Sequence, residues 1–238
     1  MDAQRAQTHP DLVIAGYAAA QYGLVSTRQL LAAGVGRGAI EHRVSVGRLI
    51  GVHRGVYAVG HLPHTPVVRR MAAVLACGRG ALLSHASALA HWELRPSSAT
   101  RIDITVPGRS GRRSRRGIVI HRSTVLPAFE VTVHHGIPVT TVARALLDGA
   151  ATLRPPSLAR AIERSEVLQL FDLTAMRRTL AAHRNHPGAR KLERGLDLYR
   201  DDELTRSELE ALMRALCDAH ALPRPLVNHV VAGKEVDF

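Results

Sequence analysis

Glycines and one turn dipeptide cut the first sixty residues into pieces, and this punctuation restricts the fold more than any other feature. Residues 11–22 (DLVIAGYAAAQY) place Leu12, Ala15, Ala19 and Tyr22 along one helical face, and Gly23 ends the run. Ser26 offers an N-cap to a short second helix, TRQLLAAG, closed by Gly34. A third helix is predicted from about Arg37 to Val46. Leu49, Ile50, Val52, Val56, Tyr57 and Val59 are strand formers broken by Arg54-Gly55, a turn signal. Three helices and a β-hairpin within about fifty residues follow the order of a winged helix-turn-helix.

After a linker at 61–66 (HLPHTP), the pattern mixes helices and strands. Helices are predicted near 66–77, at 141–151 and 157–168 with Pro155-Pro156 between them, and at 172–183 and 188–199. Residues 101–106 (RIDITV) and 117–122 (GIVIHR) alternate as strands, joined as a long hairpin by the loop PGRSGRRSRR, and a third strand is expected at 131–139. A last helix, 205–219, opens with the capping box Thr205-Arg-Ser-Glu208, and two strand-like pieces, PLVNHVV and KEVDF, follow it. Aromatic residues are only 3% of the chain, so the core must rest on Leu, Val, Ile and Ala. The expected architecture is α+β: a winged helix-turn-helix at 1–62, a mixed α/β middle domain with a β-hairpin at 63–200, and an incomplete restriction-endonuclease-like segment at 201–238.

Charge narrows the function. The chain carries +12 overall, and residues 1–122 hold 17 basic and 5 acidic residues, which accounts for all of it. Two lysines among 32 basic residues reflect a compositional preference for arginine, but that preference does not explain the asymmetry. A localised cationic excess points to a polyanion, most often nucleic acid, because bound Arg and Lys release counterions. Two cysteines, Cys77 and Cys217, make neither a disulfide framework nor a four-cysteine zinc site. No apolar run approaches the ~18 residues of a spanning helix. The N-terminus lacks the pattern of a signal peptide, so a cytoplasmic protein without a membrane partner is expected.

In a helix-turn-helix the second helix enters the major groove, and its first turns reach base edges. Here that helix carries Arg37, Glu41, His42 and Arg43, with Gly36 and Gly38 permitting close approach. Ser26, Thr27 and Arg28 are placed for phosphate contacts, and His53 and Arg54 sit at the hairpin tip. Arg109, Arg112, Arg113, Arg115 and Arg116 crowd one Gly/Ser loop. Such a cluster suits a phosphate backbone and adds affinity rather than sequence choice.

The run Gly23-Leu-Val-Ser26-Thr-Arg-Gln-Leu30-Leu-Ala-Ala-Gly34-Val, then Ile40, Gly47-Arg48-Leu49-Ile50 and His53-Arg54-Gly55-Val56-Tyr57, resembles the N-terminal winged helix of AbiEi-family antitoxins. The stretch Gly136-Ile137-Pro138-Val139-Thr140-Thr141 through Asp148 is similar to a segment of the same proteins. The resemblance implies the antitoxin of a type IV toxin–antitoxin pair. Its winged helix would bind double-stranded DNA at its own promoter and repress transcription. Its partner would be a nucleotidyltransferase toxin, linked functionally without a stable complex.

Residues 205–238 resemble the start of a Vsr-like endonuclease domain of the PD-(D/E)XK type, through Thr205-Arg-Ser-Glu208-Leu-Glu210, Leu222-Pro-Arg-Pro225, Asn228 and Glu235-Val-Asp237-Phe238. The resemblance puts Glu208 and Asp237 at two metal-holding catalytic positions, which would take Mg²⁺. The family needs a further acid and a further strand, and the sequence ends at Phe238, so the catalytic set is incomplete and no DNA cleavage, metal or cofactor is expected of this chain. The alternative is the front part of a metal-dependent endonuclease targeted by a winged helix.

Fourteen histidines invite a metal reading, but no helical H-x-x-x-H with a catalytic glutamate is present. Ser84, His85, Ser87 and His91 lack the glycine surroundings of a hydrolase nucleophile and are expected to cap and pack a helix. Asp148, at the end of an apolar helix, is expected to serve as a local hydrogen-bond partner.

Overall fold

A computed structural model describes residues 10–96, 100–108, 115–124, 126–197, 216–217, 219–220, 229–231 and 234–236. The chain divides into two compact units, Met1–Ala189 and Arg190–Phe238. It is a mixed α+β protein.

The first unit opens with α1 (Pro10–Ala20), β1 (Leu24–Ser26), α2 (Thr27–Ala32), α3 (Arg37–Ser45), β2 (Leu49–His53) and β3 (Val56–Val59). β3 lies between β1 and β2 and is antiparallel to both. The predicted punctuation is present in the backbone. Ser26 caps α2 in a reciprocal box with Gln29, whose side-chain oxygen accepts from the Ser26 N–H at 2.9 Å. Gly23, Gly34 and Gly55 take positive φ, the conformation only glycine adopts without strain. A small aliphatic core draws on several elements: Ile14 and Ala18 from α1, then Val25, Leu30, Val35, Ile40 and Leu49, with Tyr17, Tyr57 and Val59 packed against it. β1 has no counterpart in the sequence reading, because three residues are too short to display a period of two.

The same unit continues with α4 (Pro66–Cys77), β4 (Leu82–Leu83), α5 (His85–His91), β5 (Ile102–Pro107), β6 (Ile118–Ser123), β7 (Val131–His134), β8 (Ile137–Thr140), α6 (Val142–Ala150), α7 (Pro155–Val167) and α8 (Leu173–Ala182). Five strands form one sheet in the order β6-β5-β4-β8-β7. The expected hairpin of residues 101–122 is corrected here. β5 and β6 run parallel, with Ile102 opposite Ile118 and Pro107 opposite Ser123. The hairpin of this sheet is β7–β8, turned at His135-Gly136, so the single strand expected at 131–139 is two antiparallel ones. Strand direction is set by pairing across the sheet and leaves no trace in local alternation. Pro155 and Pro156, expected between helices, instead open α7, where a missing N–H costs nothing.

α6 is buried along its whole length. A Cβ on its Gly149 would stand 2.6 Å from Leu89 Cδ1 on α5, so the Leu89 side chain would have to shift to admit one. Leu83, Ile104, Ile118, Ile137, Leu146, Leu147, Leu158, Ile162 and Met176 are essentially inaccessible, giving the aliphatic core that the low aromatic content requires.

In the second unit, β9 (His229–Val231) and β10 (Lys234–Val236) pair antiparallel, with Glu235 opposite Val230. Glu208 and Asp237 lie outside the described residues, as do Arg109, Arg112 and Arg113. Among the described residues no helix is long and apolar enough to cross a membrane, and no group of His, Cys, Asp and Glu is arranged to hold a metal ion.

Candidate nucleic-acid interface

α3 buries only Ile40. Arg37, Glu41 and His42 are exposed, and nothing lies within 4 Å of where a Cβ would project from Gly36 or Gly38. Gly36, the N-cap, gives no side-chain hydrogen bond, so the first amides of the helix have no internal cap. The helix therefore presents an unobstructed cationic start to solvent. Arg43 differs: its Nη2 donates to Asp11 Oδ1 at 2.9 Å and its Nη1 to the Ala39 carbonyl at 3.3 Å, which fastens α3 to α1.

The β2–β3 hairpin is held beside α2. The Thr27 N–H donates to the Gly55 carbonyl at 2.9 Å, and a Cβ on Gly55 would sit 3.3 Å from the Thr27 hydroxyl oxygen. The start of α2 and the hairpin tip are thus one surface, with Arg28 and Arg54 both exposed on it. Ser26 spends its hydroxyl inside the cap, donating to Gln29 Oε1 at 2.8 Å.

The arginine loop reaches the same tip. Arg115 Nη1 donates to the Arg54 carbonyl at 3.3 Å, across 61 residues of sequence. His53 is half-buried there, and burial first, then the Arg115 charge, lowers its pKa below the usual histidine value. Arg115 and Arg116 are exposed. The structure thus brings together residues from α2, the β2–β3 hairpin and the end of the arginine loop. Sequence spacing alone did not join the loop to the hairpin.

A second constellation, deeper in the first unit, was only partly anticipated. Arg144 on α6 is 5% exposed and bonds two fully buried carboxylates: Nε donates to Asp148 Oδ1 at 2.8 Å and Nη1 to Glu130 Oε2 at 2.6 Å. Asp148 is therefore the local partner expected of it. Burial alone would raise its carboxyl pKa, but the His186 hydrogen bond and the His85 and Arg144 charges outweigh burial and hold it below the usual carboxylate range. Burial likewise pulls the Arg144 pKa down, and the two carboxylates reverse that and raise it. Glu130 and His183 had no signal. His183 Nε2 and Glu130 Oε2 share a hydrogen bond at 3.0 Å, and Glu130 Oε1 lies 2.8 Å from the same nitrogen.

Ser84 occupies the N-cap position of α5, but its side chain does not cap. It accepts from Thr105 Oγ1 at 2.8 Å and lies 3.0 Å from His85 Nδ1. Ser87 Oγ accepts from the Asp103 N–H at 2.9 Å, and His91 is buried. Ser84, Ser87 and His91 are buried in packing and hydrogen bonds, whereas His85 is only partly buried.

Among solved structures, the crystal structure of the RV2827C protein from Mycobacterium tuberculosis is similar at 18% identity, covering 77% of this chain and 75% of that one, with a TM-score of 0.46. No curated protein matches the chain. Residues 15–60, which span most of α1 and all of α2, α3 and the β2–β3 hairpin, match the family model described as a transcriptional regulator, AbiEi antitoxin.

Proposed function

We propose that residues 1–62 form a winged helix-turn-helix that binds double-stranded DNA and represses transcription from the protein's own promoter, as an AbiEi-like antitoxin. The observation that carries this reading is α3, a helix with one buried residue and an open, cationic first turn, inside the segment that matches the regulator family. In this reading Arg37 and His42 face base edges, while Arg28, Thr27, Arg54, Arg115 and Arg116 meet phosphates. Arg43 supports α3 through Asp11. In this reading the Arg115 bond to the Arg54 carbonyl adds Arg115 and Arg116 to the same interface. Antitoxin action would follow from control of a neighbouring nucleotidyltransferase toxin without a lasting complex between the two proteins.

The test is a gel-shift titration of the full chain on its own upstream region. A shift is expected at about 50 mM salt that weakens steeply toward about 200 mM. Absence of any shift at the lower salt overturns the reading.

A further inference from the structure

The first unit contains a cavity of about 650 Å³ that the DNA-binding reading does not use. Five separated stretches converge on it: His85 at the start of α5, Thr105 on β5, His121 to Thr124 at the end of β6, Arg144 and Asp148 on α6, and residues 181–186 at and beyond the end of α8. Its volume lies in the range of small-ligand sites. The described lining is made mostly of polar and charged side chains, with Ala181 and Ala182 the aliphatic ones, so a polar ligand finds more partners there than an apolar one.

The wall charges favour an anion. Among the described residues, Arg122, Arg144 and Arg184 line the cavity with one carboxylate, Asp148, and buried Glu130 behind Arg144 adds a second, so the arginines still outnumber the carboxylates there. Arg144 is fixed from behind: Asp148 and Glu130 engage Nε and Nη1, and neither bond uses Nη2. A guanidinium so held needs no reordering to accept an oxygen ligand. Arg184 and Thr124 are exposed, and Asn185 adds an amide beside them. The histidine wall is also constrained. His85 and His121 stack with ring centroids 3.5 Å apart and 14° between planes, and His85 takes a positive φ of 50°. A non-glycine residue in that region costs free energy that its surroundings must supply, and such residues concentrate at binding sites. His121 is oriented by Asp103 at 2.9 Å, and His85 lies 3.6 Å from Asp148 Oδ2, a buried oxygen that takes no hydrogen bond among the described residues.

We propose that this cavity binds a small phosphoryl anion, of the size of pyrophosphate or a compact phosphate monoester, between Arg144, Arg184, Thr124 and the His85–His121 stack. The same chemistry is presented by a free phosphate and by a DNA backbone.

The experiment is calorimetric titration of the full chain with inorganic pyrophosphate at constant ionic strength. Saturable binding is expected, weakened about tenfold by Arg184→Gln and also reduced by Thr124→Val, both at exposed positions. Arg37→Ala, on the separate DNA-reading surface, should bind pyrophosphate as the parent does, so failure of the DNA reading leaves this result untouched. Competition between pyrophosphate and duplex DNA, with loss of DNA affinity in Arg184→Gln, assigns the cavity to a backbone phosphate. Independent binding assigns it to a free anion. No saturation by about 10 mM, or equal binding by parent and Arg184→Gln, overturns the proposal.

Discussion

Arg37 and Arg144 carry the same guanidinium in opposite settings. Arg37 stands in solvent at the first position of a helix that buries one residue. Arg144 stands within a helix that buries all nine and is gripped by two carboxylates. The contrast shows what burial does to a charge. An exposed arginine costs the fold little and is available to a partner. A buried one is tied to its neighbours, here through Nε and Nη1, and removing it strands them.

Breaking this contrast begins with the buried member. Arg144→Met should destabilise the protein by about 3–5 kcal/mol, since Glu130 and Asp148 would be left charged in the interior, and thermal or denaturant unfolding would record it. A loss below about 1 kcal/mol would show that the cluster is not the structural tie described here. Arg37→Ala should change stability by no more than about 0.5 kcal/mol, yet cost about 1–3 kcal/mol of binding on the preferred duplex and much less on random DNA. Equal loss on both duplexes would move Arg37 to the phosphate-contacting class. Replacing Arg115 and Arg116 together with Gln should weaken binding to all duplexes alike and reduce the salt slope by about 2. A loss confined to the specific site would reverse the roles assigned to helix and loop.

The smallest effect concerns acid. His53, His85, His91 and His134 all have folded pKa values below the ordinary histidine value, with burial the leading cause in each. The unfolded chain takes up protons near pH 6.5 that the folded chain resists, so stability is full above that pH and declines as pH falls through it. Asp148, with its depressed folded pKa, contributes stability above about pH 3.9 that is lost only as pH falls further. The melting temperature should therefore decrease from about pH 7.5 to about pH 6, and a rise over that interval would contradict these burial assignments.

Legibility in the sequence followed the range of the interactions. α1, α2, α3 and the β2–β3 hairpin were readable because caps, glycines and short periods are local, and the exposed face with Arg37 came with them. The Arg144–Asp148 pair is also local, four residues apart on one helix. Glu130 and His183 were not readable, since 53 residues separate them and only the fold brings them to one point. The parallel pairing of β5 and β6 was misjudged for the same reason: an arginine-rich connection between two alternating strands looks like a hairpin loop until the partner strands are known. Arg43 was read as a base-facing residue from its helix position, whereas its tie to Asp11 depends on how α1 crosses α3.

The bond from Thr27 to Gly55 and the bond from Arg115 to Arg54 pin the same hairpin tip from two sides. In the proposed interface, a tip held in this way would act as one jaw of a caliper, with α3 as the other. In the DNA-binding reading, such a gauge does not follow the duplex presented to it. The duplex must bring its groove and backbone to the preset gap, and stiff or differently shaped sequences are rejected by the energy of deforming them.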